Sequence, residues 1–373
     1  MPRWLWLVLL PAAVTCGESS REQILPAGTP AWSAGAVPLL TIGEVDGDSA
    51  HLFSGVAAVR LHSDRAVVVA DGGTGTIRLF DREGDLVRQL GGSGPGPGEF
   101  VRLTALGLAD DGSISAYDAA AHRLTTFDSS GEVTATVPFR TNSGPPEIYI
   151  GSTSAGDHLL GWIRHEPRDP SRVTPDVIQI GRFTADGTPA GLVGILDGMR
   201  RRDSPLPFSP HLLAAMAGDL AYLTDGLDGT VQVVAPSAEW MRPAFRLDVP
   251  VPDAEAAFTL LAEALDEPEA VERLRRIRDE PGSDSIPAFS DLLADDEGHL
   301  WLKPYDPRTD SHWLLRPRTG GEWLVVDSAG RMLARARVPE GFRLMDVRGD
   351  RLAGVSRDRA GVERIQVYAL RRD

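Results

Sequence analysis

The eight histidines stand at positions 51, 62, 122, 158, 165, 211, 299 and 312, and none falls into a His-x-His, His-x-x-x-His or His-Glu-x-x-His arrangement. Those spacings would place two imidazoles where one ion can reach both, so the chain carries no local metal signature. The metal or general-base candidates that remain are His165 with Glu166, and His299. Each would need further ligands from distant parts of the chain. Without such ligands, His165 is a loop residue and His299 a strand-edge residue beside Trp301. Asp71, Asp118 and Asp225 recur at matching places of a repeated unit. An Asp just before a hairpin turn accepts backbone N–H groups, which explains the recurrence better than cation binding. No Gly-x-Ser-x-Gly elbow occurs, and the single cysteine, Cys16, follows an apolar N-terminal stretch. Neither serine nor cysteine nucleophilic catalysis has support. Trp162, Tyr305 and Trp313 join large contact area to polar handles and are the candidate ligand or partner surface. Trp301 and Trp323 belong to the same aromatic set, and packing between sheets is the competing use for all of them.

The elements that would position these residues follow from an internal repeat, which must be sought first. Asp71, Ile77, Phe80, Asp81 and Gly84 return as Asp118, Leu124, Phe127, Asp128 and Gly131. A third copy keeps Asp225, Val231 and Val234, and a later unit keeps Val326-Asp327-Ser328-Ala329-Gly330. Each unit divides into short strands separated by turns: 56–61, 66–70, 77–80 and 86–90 in the first. Ile77-Arg78-Leu79-Phe80 alternates with the period of a half-buried strand, and Asp81 to Gly84 is a reverse-turn sequence. Four antiparallel strands in such a unit make one propeller blade.

Units of this kind cover 53–90, 100–138, 147–196, 210–249, 287–338 and 342–370, which predicts an all-β, six-bladed propeller of four-stranded antiparallel blades. The last unit supplies only three strands, whereas an orphan strand at 38–43 precedes the first. Docking 38–43 on the last blade closes the ring and shortens exposed edges. The run Gly91 to Phe100 lacks the Lys-Ser/Thr of a phosphate loop and a following helix, so it reads as a turn between blades. With the Phe-Asp-x-x-Gly endings, it resembles the NHL-type repeat and the bacterial six-bladed propellers related to it. The resemblance covers 53–137 and 292–370 best. It implies the fold; families with this fold include binding scaffolds, lactonases and lyases, some bearing calcium or zinc near the axis.

Residues 251–280 break the pattern. Ala254, Ala257, Phe258, Leu261, Ala264 and Leu265 recur at helical spacing, Pro268 interrupts, and Val271, Leu274 and Ile277 form a second stripe. Two short amphipathic helices between blades four and five are expected, either capping the ring or flanking its central opening. Loop-like excursions at 164–175 and 306–321 lie inside blades three and five, where such scaffolds tolerate recognition loops.

The N-terminal residues read as an export signal at 1–15: Arg3 and then an apolar run through Val14, too short to span a bilayer comfortably. Ala13-Val14-Thr15-Cys16 resembles the lipobox of bacterial lipoproteins, which implies acylation of Cys16, although Thr15 departs from the usual Gly or Ala; the alternative is simple cleavage near Ala13 or Thr15, releasing a soluble periplasmic or secreted protein. Residues 16–37, rich in Gly, Pro, Ser and Ala, read as a linker, and 38–373 as the propeller. A net charge of −15 argues against a nucleic-acid surface, and membrane contact is expected only through the N-terminal lipid.

These features favour a non-catalytic binding or scaffold protein of the bacterial cell envelope, periplasmic or surface-facing, recognising a protein, peptide or glycan. The alternative is a lactonase-like metal-dependent hydrolase or lyase with an axial site. No cofactor is expected under the first reading; calcium or zinc enters only under the second.

Overall fold

The computed structural model describes residues 28–372 apart from 63–66, 143, 166–173, 202–205, 266, 280–282, 284, 312, 315–319 and 359. Two strands precede the repeats, β1 (Ala31–Ala34) and β2 (Leu40–Ile42). Blade one holds β3 (Val56–Leu61), β4 (Val67–Asp71), β5 (Thr76–Phe80) and β6 (Leu86–Gly91). Blade two holds β7 (Leu103–Leu108), β8 (Ile114–Asp118), β9 (Arg123–Phe127) and β10 (Val133–Pro138). In blade three β11 (Ile148–Ser152) and β12 (His158–Arg164) are followed by the longer β13 (Thr174–Phe183) and β14 (Pro189–Arg201). Blade four comprises β15 (Leu213–Ala217), β16 (Leu220–Thr224), β17 (Thr230–Val234) and β18 (Arg242–Arg246). After the helices α1 (Ala254–Ala264) and α2 (Pro268–Ile277), blade five begins with β19 (Phe289–Ala294) and β20 (Leu300–Pro304). It continues through a short helix α3 (Pro307–Asp310) to β21 (Gly321–Val326) and β22 (Met332–Val338). Blade six has β23 (Phe342–Arg348), β24 (Arg351–Arg357) and β25 (Glu363–Arg372).

Neighbouring strands within each blade pair antiparallel. The first strands form the inner ring: β3 touches β7, β7 touches β11, β11 touches β15, β15 touches β19, β19 touches β23, and β23 returns to β3. Six blades therefore close on themselves. Inner strands are covered on both faces and read as apolar runs, as in β4, where all five residues Val67–Asp71 are buried. Outer strands alternate with polar residues and stay wet, as in Val133–Pro138, whose residues are mostly exposed.

Closure follows the expected route. Leu40, Thr41 and Ile42 pair antiparallel with Val367, Gln366 and Ile365, making β2 the fourth strand of blade six. The stretch 16–37 read as linker also carries a paired strand, which corrects its boundary. β1 runs parallel to β22 and antiparallel to the end of β25, so blades five and six share one continuous sheet. The length of β25 permits this, because Ile365–Val367 serve β2 and Leu370–Arg372 serve β1. Trp32 of β1 packs against Trp301 with ring centroids 5.8 Å apart and carries Arg372 over its own ring. Cys16 and the remaining residues before 28 lie outside the described residues.

The repeated aspartates act on the backbone. Asp118 accepts the N–H groups of Val101, Arg102, Ala120 and Ala121 at 2.8–3.1 Å, tying the blade-two entry to its own hairpin. Asp71 accepts from Gly73 and lies 3.4 Å from the Arg78 guanidinium, and Asp225 accepts from Leu227. The glycine-rich run is a blade connection: Phe100 is buried, its N–H bonds to Gly92, and Arg123 clamps the carbonyls of Gly96 and Glu99.

Candidate binding site at one end of the ring

Chain direction decides which residues can meet at each end. First strands start, second strands finish, third strands start and fourth strands finish at one end of a blade. Residues at those four places in different blades therefore share one rim. In blade five these places are Phe289–Asp291, Lys303 and Gly320–Trp323; in blade six they are Phe342–Leu344; blade three contributes Met199 at the end of β14. Together with Ser209 and His211 before β15, and Thr309 and Asp310 of α3, they enclose a cavity of about 380 Å³.

Two local devices aim the side chains. A β-bulge between Phe289 and Asp291 interrupts the register with β20, and Ser290 and Asp291 both line the cavity. Bulges re-aim side chains in this way beside functional sites. The excursion after β20 turns into α3, which starts on Pro307 with Asp306 as its N-cap and returns Asp310 to Lys303. The Asp310 carboxylate also accepts from Thr309 Oγ1 at 2.9 Å and from the Asp306 N–H at 2.9 Å. Lys303 and Asp310 are thus a buried, multiply bonded ion pair in the wall, with side chains 8% and 6% exposed.

The helical insertion braces this wall. Ala257, Phe258 and Leu261 of α1 and Leu274 of α2 bury against Phe208, Ile286 and Tyr305. Arg273 lies 4.2 Å over the Trp313 ring. The segment 206–209 and the excursion 305–311, both carrying cavity residues, are joined by Ser311 Oγ donating to the Pro207 carbonyl at 3.0 Å. The helices α1 and α2 thus pack behind the cavity wall, and none of their described residues is in its lining.

Three groups define the electrostatics. Burial pushes the Asp291 carboxyl above its ordinary range, against the opposing pull of Arg343, the Leu292 N–H, His211 and Lys303. Burial pushes the His211 imidazole below its ordinary value, with Asp291, the Ser290 backbone and Asp310 acting the other way. The His211 side chain still faces open space, because the surrounding protein forms a mouth and not a lid. Arg343 is exposed in that mouth and, among the described residues, has no carboxylate within ion-pair distance.

The opposite end of the ring is strapped. Arg348 of blade six reaches Asp110 of blade two at 2.7 Å, and Arg351 donates to the His62 carbonyl of blade one at 3.1 Å. The Gly349 N–H bonds to Asp296 of blade five at 2.8 Å.

The sequence-predicted residues do not gather in the cavity. His299 stands in the strapped-end turn of blade five, its Nδ1 3.1 Å from Asp295, which also accepts from Trp301 Nε1. His165 lies on blade three, 3.0 Å from Asp176, and Glu166 lies outside the described residues. Among the described residues no three His, Cys, Asp or Glu side chains come together as a metal ion would require. Trp162 and Tyr305 are buried, 5% and 9% exposed, which corrects their reading as a contact surface. Trp162 donates to Gln179 and packs between blades, while Tyr305 fills the helix contact; Trp313 lies beneath Arg273.

The residues sequence reasoning missed are His211, Asp291, Lys303, Asp310 and Arg343. Two signals were present. Lys303 is the chain's only lysine, and Ser290-Asp291 interrupts the otherwise apolar Phe289–Ala294.

Comparison with known proteins agrees on the fold. Residues 47–143 match the family model DUF5128, a 6-bladed beta-propeller. No curated protein matches the chain in sequence. Among solved structures, a DUF4221 family member from Bacteroides vulgatus is 9% identical over 92% of this chain and 99% of its own, with a TM-score of 0.53. Virginiamycin B lyase from Staphylococcus aureus is 12% identical over 88% of this chain and 87% of its own, with a TM-score of 0.43. A gluconolactonase from Xanthomonas campestris is 14% identical over 93% and 99%, with a TM-score of 0.44. Among the described residues no helix is long and apolar enough to cross a membrane. The chain is similar to these proteins as a six-bladed β-propeller.

Proposed function

We propose that this protein is a non-catalytic binding protein of the bacterial cell envelope, which takes the end of a peptide, protein or glycan into the cavity between blades three and six. The observation that carries this reading is the cavity itself. At about 380 Å³ it lies in the range of ligand pockets, about 300–1,000 Å³. It opens at one end of the ring, whereas the other end is crossed by the Arg348–Asp110 pair. Its lining is mostly apolar, with Met199, Trp323, Phe342 and Leu344, and carries a few placed polar and charged groups, the mix that fixes the orientation of a bound ligand.

Peptide and glycan arrays probed with the full chain test the reading. Wild type is expected to retain at least one class of probe, and Arg343→Ala to lose it about tenfold or more, since a hydrogen bond to a charged group is worth about 1.5–3 kcal/mol. Equal binding by both proteins contradicts it. Metal analysis addresses the lactonase-like alternative: a stoichiometric Ca²⁺ or Zn²⁺ in the purified chain would replace the binding reading with that one. Envelope location and the lipid anchor belong to the same proposal. Replacing Cys16 with Ala is expected to move the protein from the membrane to the soluble fraction, and unchanged retention would exclude acylation at that residue.

A further inference from the structure

We propose that the cavity seats the carboxylate of a small acid, with Arg343 as counter-ion and Asp291 beside it in the same lining. The inference rests on the binding reading above and names the chemical class of the ligand.

Charge accounting inside the cavity leads there. Lys303 is committed to Asp310, whose oxygens are further occupied by Thr309 and the Asp306 backbone. That pair contributes no net charge. Arg343 is the cation left without a carboxylate at ion-pair distance among the described residues, and it stands in the mouth. Asp291, in the same lining, feels Arg343, and burial raises the proton affinity of that acid. A neutral ligand would leave Arg343 with only distant compensation. An anionic one completes it.

The anion also decides the state of Asp291. Two carboxylates sharing one site cannot both stay ionised, and the pair retains one proton between them. Binding is therefore linked to proton uptake. The groups facing Asp291 are Arg343 on β23, Lys303 on β20, His211 before β15 and, through His211, Asp310 on α3. Lys303 and Asp310 are committed to each other, which leaves Asp291 and His211 as the two groups able to impose a pH dependence. Protonation of either favours an anion, so affinity falls as pH rises. The ordinary pKa of a ligand carboxyl is about 3.5, so the ligand itself stays ionised. The Ser290 and Thr309 hydroxyls, which donate to the Lys303 carbonyl and to Asp310, keep acceptor lone pairs for the remainder of such a ligand.

The carboxylate has two sources, a uronic acid ending a glycan or the C-terminus of a peptide. Calorimetric titration of the full chain with D-galacturonate and with N-acetyl-alanine separates them, beside the methyl ester and the amide as neutral counterparts. Binding of either acid, at least about tenfold tighter than its neutral counterpart, supports the inference and identifies the source. Wild type is expected to weaken about tenfold or more as pH rises and these two groups give up their protons. Asp291→Asn, which keeps a donor and removes one titration, is expected to flatten the pH profile to the part His211 contributes, while His211→Gln keeps the part due to Asp291. Arg343→Ala is expected to lose the acid altogether, with an unchanged far-ultraviolet dichroism spectrum showing that it folds. Binding of neither acid, equal binding of the neutral counterparts, or an unaltered pH profile in Asp291→Asn overturns the inference. Acids failing while neutral sugars or amides bind would spare the binding reading and remove only its charge assignment.

Discussion

Ile42, near the start of the described chain, pairs with Ile365 near its end, and both lie in one core cluster with Val56, Val59 and Phe80 of blade one. The contact ties the two ends of the propeller to each other and to the next blade. Ring closure is thus a packing event as well as a hydrogen-bonding one. Ile42 is 2% exposed, so Ile42→Ala should cost about 2–5 kcal/mol through lost burial and the cavity left behind. Denaturant unfolding should show the loss, and Leu39→Ala, at an exposed position beside the same strand, should not.

Asp118 should make stability depend on acid. Burial alone would raise its carboxyl, but the N–H groups of Val101, Ala121, Arg102 and Ala120 outweigh that and hold it below the ordinary value. A group whose folded pKa is depressed contributes stability above its unfolded pKa, about 3.9, and loses it as pH falls through the folded value. Wild type should therefore soften below about pH 4. Asp118→Asn should lose about 1–3 kcal/mol at neutral pH and show a shallower acid limb in urea titrations.

The Lys303–Asp310 pair is 8% and 6% exposed at the side chains, so breaking it from one side should be expensive. Asp310→Ala leaves a buried ammonium and should cost about 3–5 kcal/mol, whereas Lys303→Met with Asp310→Leu should recover most of that. A double-mutant cycle followed by thermal unfolding gives the coupling directly.

Arg273 over Trp313 is the polar seam between the helical insertion and blade five. Arg273→Gln should weaken the insertion by about 0.5–1 kcal/mol, the value of an exposed cation–π contact. Leu261→Ala, at a fully buried position in the same cluster, should weaken it more. Hydrogen exchange of α1 amides would resolve the two effects.

The blades were legible because each repeats the same local devices. Period-two apolar strands, an Asp before each hairpin and an Asp-x-x-Gly turn all point to one unit. Gly84 and Gly131 show why the turn keeps its glycine: both have φ of 92°, a left-handed conformation that side chains disfavour. The helices at 254–264 and 268–277 were legible for the same reason, an apolar stripe broken at Pro268. The strand Ala31–Ala34 was not, because its partners Arg335–Arg337 and Leu370–Arg372 lie some three hundred residues away and its own sequence carries no period. The cavity was equally hidden. His211, the cross-strand pair Asp291 and Lys303 of one hairpin, and Arg343 come from three separate stretches, and only the ring geometry brings the three together. The aromatic residues misled because Trp162 and Tyr305 have the right chemistry for recognition but sit where blades and helices need bulk.

The most direct test of the account is a crystal structure of the full chain with the ligand chosen by array and titration. The ligand is predicted to lie at the rim between blades three and six, with one group against Arg343 and Asp291 and its remainder facing the open end. Density for it on the outer strands, or at the end crossed by Arg348 and Asp110, with the cavity unchanged, would contradict the account.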